Sequence, residues 1–278
     1  MTLLSKADFS NRDMSGACFQ KIVHLAKINW GLNLEEGKRP LIAARLRKRV
    51  LATGSRDFSD YVQRLSNGDI NECDHFISAL STNVTQFFRE FHHFEMLEKA
   101  VFPKLKGSRN IKIWSAGCST GQEPYSIATV AEKIFGRRND IQILATDADP
   151  AVLRLAQNGR FDITDVDFLS VQHKRDLFEV YSKSEFFVRD TLRNMIDFRR
   201  LNLVQPWPIN CMFDVIFCRN VAIYFDKSTQ DKLWAGFSGR LKPGGYLFIG
   251  HSERINFPEN IKMEPVGITS YKKFSSER

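Results

Sequence analysis

No stretch of the 278-residue chain strings together the roughly eighteen apolar residues that a membrane-spanning helix needs, so no membrane insertion is expected. The opening residues carry no apolar leader, which points to a cytoplasmic protein. Cysteine is sparse: the five copies, at 18, 73, 118, 211 and 218, never adopt paired metal-ligand spacing. That excludes a disulfide framework and a zinc site, and fits a reducing compartment. The six histidines show no ligand pattern either. His92 and His93 read as a helix surface, and no metal is expected. The phosphate-binding Gly-Lys-Ser/Thr is missing after the first apolar strand pattern. The glycines there are spaced Gly-x-x-x-Gly, short of the full dinucleotide fingerprint.

What the chain does have is enough apolar material for a sizeable core, at 43% hydrophobic and 12% aromatic residues, with 23 phenylalanines dominating the aromatics. Its length suits one large domain or two ordinary ones. The net charge of +8 favours an acidic partner without choosing among nucleic acid, anionic lipid and a carboxylate-rich protein.

The organising stretch is residues 111–125. Ile111, Ile113 and Trp114 read as a buried strand, Gly117 and Gly121 as a small-residue turn, and Pro124 as the first turn of a helix. Strand, turn and helix in this order open a nucleotide-binding α/β unit, although an ordinary strand–helix turn reads the same way. A second apolar strand over 141–147 ends in Asp147, placed to accept hydrogen bonds from ribose hydroxyls. A proline–glycine turn feeding an apolar strand over 241–250 resembles the class I methyltransferases that use S-adenosylmethionine.

Residues 1–80 read as helical. Phe19, Ile22, Val23, Ala26 and Trp30 follow helical spacing, Pro40 and Gly54 bracket a second helix, and Phe58, Tyr61, Val62 and Leu65 mark a third. The second helix carries Arg45, Arg47, Lys48 and Arg49, which read either as a solvated face or as a docking surface for an acidic partner. Residues 81–107 read as a linker, with 81–90 a helix packed by Phe87 and Phe88 and a further helix running to Val101. Residues 108–278 form the α/β domain. Its insertion at about 160–197 holds two short strands, 178–181 and 186–188, around Ser182, Lys183 and Ser184. Core strands are expected at 199–204 and 213–218. A helix follows at about 228–238, and a last strand at 268–274 pairs antiparallel with 246–250.

Several segments together resemble the CheR family, chemotaxis methyltransferases that esterify receptor glutamates. They are Thr82-Asn-Val-Thr-Gln-Phe-Phe-Arg-Glu90, Trp114-Ser-Ala-Gly-Cys-Ser-Thr-Gly-Gln-Glu-Pro-Tyr-Ser126, Ala145-Thr-Asp147, Asn202-Leu203, Phe217-Cys-Arg-Asn-Val-Ala-Ile-Tyr-Phe225 and Gly250-His-Ser-Glu253. The resemblance implies a Rossmann-like class I methyltransferase domain with a small antiparallel β insertion, behind a small all-α domain. It implies S-adenosylmethionine as cofactor, with S-adenosylhomocysteine as product. It also implies roles: Asn83, Thr85 and Arg89 approach the cofactor from the linker; Gly117, Gly121 and Glu123 surround its methionine part. Asp147 takes the ribose, Asn202 and Leu203 the adenine, Arg219 and Asn220 end a strand beside it, and Arg89 and Tyr224 border the methyl-transfer path. Without the resemblance, Arg89 and Arg219 read as salt-bridge partners and Tyr224 as a core aromatic.

The implied partners are the cytoplasmic helices of chemoreceptors. An RNA substrate would call for a base-reading aromatic platform or added module, and neither is evident. A non-enzymatic, cofactor-sensing adaptor should have lost Arg89 or Tyr224. Family members that tether to a receptor's C-terminal peptide have a glycine-containing insertion turn; Ser182, Lys183, Ser184 and Glu185 stand here instead, which leaves tethering doubtful.

Overall fold

The computed structural model describes residues 14–180, 182, 184–256 and 261–275. Tyr181 and Lys183, in the expected insertion strand and turn, lie outside the described residues. The chain divides into two compact units. One gathers the described residues up to Thr82 together with Tyr224–Asp226, and the other Asn83–Ile223 with the chain from Lys227 onward.

The first unit is helical. Its helix α1 (Gly16–Trp30) starts at Ser15, whose side chain accepts from Cys18 N, and stops at Gly31 in the left-handed region. Helix α2 (Arg39–Ala52) opens with proline in its first turn, and α3 (Phe58–Ser66) and α4 (Ile70–Leu80) are capped by the carboxylates of Asp57 and Asp69. One face of each helix meets in a core of Phe19, Ile22, Ala26, Ile42, Leu46, Val50, Phe58, Tyr61, Val62, Leu65 and Phe76.

A carboxylate sits inside this unit. Glu72, 4% exposed, accepts from Tyr61 Oη at 2.7 Å and from Arg49 at 3.0 and 2.7 Å. Burial, reinforced by Glu72, pushes the Tyr61 phenol well above its ordinary range. Arg45 donates to the carbonyls of Leu80 and Ser81 at 2.8 and 3.4 Å and to Thr82 Oγ1 at 3.1 Å, closing the C-terminal end of α4. Arg45 and Arg49 thus have partners of their own within the unit. Both guanidiniums satisfy groups inside the helical unit, leaving Lys48 exposed and Arg47 half-buried. Tyr224–Asp226 joins the same unit: Asn33 N donates to Tyr224 O at 2.8 Å, Leu32 and Phe225 form an antiparallel bridge, and Lys27 pairs with Asp226 at 2.9 Å.

The second unit is built on a seven-stranded sheet ordered β6-β2-β1-β7-β8-β10-β9. Its strands are β1 (Ile111–Ala116), β2 (Ile141–Asp147), β6 (Ile196–Arg200), β7 (Phe213–Cys218), β8 (Leu241–Ile249), β9 (Met263–Gly267) and β10 (Ser270–Lys273). The first five pair in parallel, while β10 runs antiparallel to both β8 and β9. Parallel strands are covered on both faces and so read as unbroken apolar runs; every residue of β7 is buried. The helices of this unit are α5 (His92–Met96), α6 (Phe102–Leu105), α7 (Gln122–Phe135), α8 (Pro150–Asn158), α9 (Ile163–Val166), α10 (Val171–Leu177), α11 (Asp190–Arg193) and α12 (Lys227–Arg240). The insertion is a three-stranded antiparallel sheet ordered β3-β5-β4, made of β3 (Arg160–Asp162), β4 (Phe178–Val180) and β5 (Glu185–Val188).

The architecture is the α/β class with a small antiparallel insertion and an all-α unit ahead of it, and four local expectations change. Residues 81–90 are not helical. Two adjacent rings go to different places, Phe87 edge-on between Phe161 and Phe178, and Phe88 between Phe94 and His173. Phe88 and Glu90 adopt φ of 53° and 55°, which no helix contains. The helix to Val101 is interrupted, with a π-turn over Leu97–Val101 joining α5 to α6. The strand expected at 199–204 is β6, which runs Ile196–Arg200, starting three residues earlier and ending four residues earlier than expected. Finally, β3 and β9 were not anticipated. Both are short; β3 pairs with β5 more than twenty residues on, whereas β9 forms a tight antiparallel pair with β10, which directly follows it.

Candidate active site

Parallel α/β sheets gather ligands beyond the carboxyl ends of their strands, where strand order reverses. Here that point is β1, with β2 and β6 on one side and β7 on the other. Past Ala116, the amides of Gly117 and Cys118 both donate to Thr146 O, at 2.7 and 2.9 Å, bending the turn over the end of β2. Gly117 has φ of 86°, and a Cβ there would stand 2.3 Å from Val221 Cγ2, so only glycine fits. Gly121, at φ of 99°, is crowded by Ala156 and Tyr125 at 3.0 Å.

Asp147 closes β2. Its carboxylate accepts from Ser119 N at 2.9 Å and Asp149 N at 3.0 Å, and its carbonyl accepts from Leu201 N at 2.9 Å. Burial pushes the Asp147 carboxyl above its ordinary value, with those two amides pulling the other way. Just past β6, Asn202 Oδ1 accepts from Val204 N at 3.2 Å and Leu203 O from Trp207 Nε1 at 3.1 Å. Asn83 donates to Asp149 Oδ2 at 3.2 Å, and its carbonyl accepts from Ser119 Oγ at 3.3 Å. Hydrogen bonds thus tie Asn83, Ser119, Asp147 and Asp149 together past the ends of β1 and β2, with Asn202 and Leu203 following Leu201 just beyond β6 and Thr85 half-buried two residues along the chain from Asn83.

On the far side of the Gly117 turn, Glu123 accepts from Ser115 Oγ at 2.6 Å and lies 3.4 Å from Arg219 Nη1. Burial raises the Glu123 carboxyl above its ordinary value against the pull of Arg219. Arg219 is 2% exposed, stacked over the Phe94 and Phe217 rings at 5.6 and 6.0 Å. It also donates to the carbonyl of Arg89. Arg89 itself is half-buried and reaches back to Val84 O at 3.0 Å. Among the described residues no carboxylate pairs with it. Asn220 takes φ of 60° at the end of β7.

Sequence reasoning passed over two acids that organise these residues. Glu253, 4% exposed, accepts from four backbone amides: Gly250 at 2.5 Å, Ala222 at 2.7 Å, Val221 at 2.9 Å and Asn220 at 3.2 Å. It fixes the turn after β7 to the end of β8. Burial raises its carboxyl while the amides oppose the shift. Glu90 accepts from His251 N at 3.2 Å, His251 Nδ1 at 3.1 Å and Asn220 Nδ2 at 3.4 Å, and faces Arg219 Nη2 at 3.5 Å. Burial acts against the charge of Glu90, but Arg219 and the His251 bonds hold it below its ordinary range. The signal for both was in view, since each acid closes one of the quoted segments, 82–90 and 250–253.

The surface reading of the histidine pair is also corrected. His93 is fully buried, with Nε2 3.2 Å from Ile268 O and 3.0 Å from Thr269 Oγ1, and His92 is half-buried. Burial drives the His93 pKa down to about 3. Glu90, His92 and His93 bring one potential ligand atom each within 4.8 Å of the others. The cation already facing that cluster is Arg219, and a divalent ion would have to sit against its fixed guanidinium.

Of the two residues expected along the methyl path, Arg89 belongs to the α/β unit, while Tyr224 lies with the helical unit.

Residues 83–272 match the family described as CheR methyltransferase, SAM binding domain, and residues 17–81 match CheR methyltransferase, all-alpha domain. The chain belongs to the CheR methyltransferase family. Relatives agree along nearly its whole length. The probable chemotaxis protein methyltransferase of Rhizobium etli is 39% identical over 252 residues, covering 87% of this chain and 94% of the relative. The chemotaxis protein methyltransferase of Borreliella burgdorferi is 37% identical, covering 91% and 93%. That of Escherichia coli is 37% identical, covering 88% and 87%. As a CheR methyltransferase the protein is an enzyme that uses S-adenosylmethionine, and the strand ends and turns described above lie within the matched SAM-binding region. The donor set suits that molecule: a half-buried acid beside the glycine turn for an ammonium, an acid at the β2 tip for vicinal hydroxyls, and a polar and an apolar side chain past β6 for a purine. Among the described residues no helix is long and apolar enough to cross a membrane.

Proposed function

We propose that this chain methylates glutamate side chains of chemoreceptors, forming glutamate methyl esters that adjust chemotactic signalling in the cytoplasm. The observation that carries the choice of a carboxylate acceptor is Arg89. It is a half-buried guanidinium beside the cofactor cleft that no carboxylate pairs with among the described residues. An incoming carboxylate matches it in charge and in planar geometry.

When bound, S-adenosylmethionine supplies an electrophilic methyl on a sulfonium sulfur. Glu123 would pair with its ammonium group, Asp147 would accept from its ribose hydroxyls, and Asn202 and Leu203 would flank its adenine. Asn83, Thr85, Gly117, Gly121, Arg219 and Asn220 complete the cradle. The acceptor glutamate, with an ordinary pKa of about 4.3, is already an anion near neutral pH and needs no general base. Its oxygen would form the new O–CH3 bond as the C–S bond of the donor broke, with that electron pair returning to sulfur. Opposite charges cancel along this path, so positioning and exclusion of water contribute more than oxyanion stabilisation. Arg89 orients the carboxylate, and Tyr224 is assigned to the same methyl path on the strength of the Ile-Tyr-Phe segment. In the helical unit the proposed receptor-docking role of Arg45, Arg47, Lys48 and Arg49 falls first to Arg47 and Lys48, since Arg45 and Arg49 are also engaged by groups within the unit.

The test is incubation with methyl-labelled cofactor and membranes containing chemoreceptors. Label on the receptor that is released as methanol by mild base supports the proposal. Base-stable label, or label in RNA, overturns it.

A further inference from the structure

Arg89 stands between two residues in the left-handed region, Phe88 at φ of 53° and Glu90 at φ of 55°. Neither is glycine, and each such residue is disfavoured unless its surroundings over-determine it. On the Phe88 side the anchor is apolar. The ring is buried against Phe94 and His173, and the amide donates to Ser126 Oγ at 3.0 Å. On the Glu90 side the anchor is a single carboxylate. Oε1 reaches Asn220 at the end of β7 and His251 at the end of β8, while Oε2 faces Arg219 at 3.5 Å. Arg219 in turn donates to Arg89 O, so the charge that balances Glu90 also grips the peptide between the two strained residues.

We infer that Glu90 is a positioning residue for methyl transfer: its carboxylate pins the strained turn that presents Arg89 to the ends of the strands carrying the cofactor residues Arg219 and Asn220. The inference rests on the reading of Arg89 as the group that orients the acceptor. In this arrangement Glu90 sets the separation between the group gripping the acceptor and the groups gripping the methyl donor. Its contacts are with Asn220, His251 and Arg219, and it acts through Arg89, its neighbour in the chain.

The geometry makes three alternatives to Glu90 informative. Glutamine keeps the shape and the bonds from His251 and Asn220 but removes the charge facing Arg219. Alanine removes the carboxylate and keeps the backbone penalty at φ of 55°. Glycine removes the carboxylate and lifts that penalty. A merely structural role predicts that glycine recovers what alanine loses. A positioning role predicts that glycine recovers the unfolding midpoint but not the rate.

The experiment is single-turnover methylation at saturating S-adenosylmethionine for Glu90→Gln, Glu90→Ala, Glu90→Gly, Arg89→Ala and the double variant Arg89→Ala/Glu90→Gly. S-adenosylhomocysteine affinity is measured by calorimetry alongside. We expect Glu90→Gly to lose roughly 10- to 100-fold in rate, the scale misplacement of a reacting group produces, with homocysteine-product affinity changed by no more than about threefold. Glu90→Gln should lose less than Glu90→Gly but remain clearly below wild type. The double variant should be no slower than Arg89→Ala by more than about twofold, because Glu90 has nothing left to position. Near-wild-type turnover in Glu90→Gly, or losses that multiply in the double variant, would overturn the inference while leaving Arg89 in place. Near-wild-type turnover in Arg89→Ala would overturn the reading of Arg89, and the inference with it.

Discussion

Replacing Gly117 by alanine adds one methyl group and tests the cleft at its tightest point. The backbone there has φ of 86°, where an L-residue is disfavoured by roughly 1–2 kcal/mol. The new Cβ would stand 2.3 Å from Val221 Cγ2, so the valine must retreat by on the order of 1 Å to reach ordinary contact. It is not free to do so. The Val221 amide is bound by Glu253 at 2.9 Å, and the same carboxylate holds its neighbours Asn220 and Ala222. Overpacking of this kind costs roughly 1–3 kcal/mol, giving a total of about 2–5 kcal/mol shared between stability and ligand affinity. Gly117→Ala should therefore lower the urea midpoint and weaken S-adenosylhomocysteine at least tenfold, equivalent to about 1.4 kcal/mol. Val221→Ala removes the colliding methyl groups, so Gly117→Ala/Val221→Ala should regain the steric part and keep the backbone part. Equilibrium unfolding and calorimetry on all three variants form a double-mutant cycle. A single Gly117→Ala variant within about 0.5 kcal/mol of wild type, or a double variant no better than the sum of the singles, refutes the steric reasoning.

Other consequences can be checked separately. Asp147→Ala should weaken S-adenosylhomocysteine binding by calorimetry with the fold intact, since two hydroxyls lose their acceptor; unchanged affinity removes Asp147 from the site. Arg49→Met strands the buried Glu72 carboxylate, and should cost the helical unit about 2–4 kcal/mol in denaturant unfolding, less than a fully buried pair because Arg49 is partly exposed. Normal stability would return Arg49 to the docking surface. His93 titrates at about 3 when folded against an ordinary 6.5, so the unfolded chain binds the extra proton first as pH falls. Its contribution is whole above pH 6.5 and is lost toward pH 3 by up to roughly 1.4 kcal/mol per unit. His93→Gln should flatten the fall in stability between pH 6.5 and 5, and an unchanged slope would contradict the burial argument. In single-turnover methylation, Arg89→Ala should lose on the order of 100-fold and Tyr224→Phe less, with the two effects short of additive. Strict additivity would mean they do not share one reacting geometry.

Much of the fold was readable because period and punctuation agreed. Pro40 opens its helix and Phe58, Tyr61, Val62 and Leu65 keep helical spacing, and the apolar runs of β1, β2 and β7 announce strands covered on both faces. The reading failed where a residue's partner lies far along the chain. Arg45 and Arg49 looked like a solvated basic stripe because nothing local reveals that α4 supplies Glu72 and an open C-terminal end. Residues 81–90 read as a helix packed by its phenylalanines, whereas Phe87 and Phe88 pack against different rings of one core from an irregular segment with left-handed residues. His93 looked exposed because a histidine pair is polar, and its hydrogen-bond partners lie 175 and 176 residues away. Glu90 and Glu253 were visible as letters in the quoted segments, but their work is to bind amides and side chains across strand ends, which spacing does not encode.

The three residues Tyr224–Asp226 carry a consequence for how the chain comes into being. The helical unit draws its bridge to Leu32, its bond to Asn33 and its ion pair with Lys27 from them. A ribosome delivers them only after more than half of the α/β unit has been made. The first eighty residues can therefore collapse early around Phe19, Leu46 and Tyr61, yet they must wait for a late segment before the edge at Leu32 and Asn33 is sealed. A fragment ending at Thr82 would leave that edge open, and supplying 224–226 in trans would not recreate the tether that delivers it. The helical unit is first in sequence but cannot be the first to be finished.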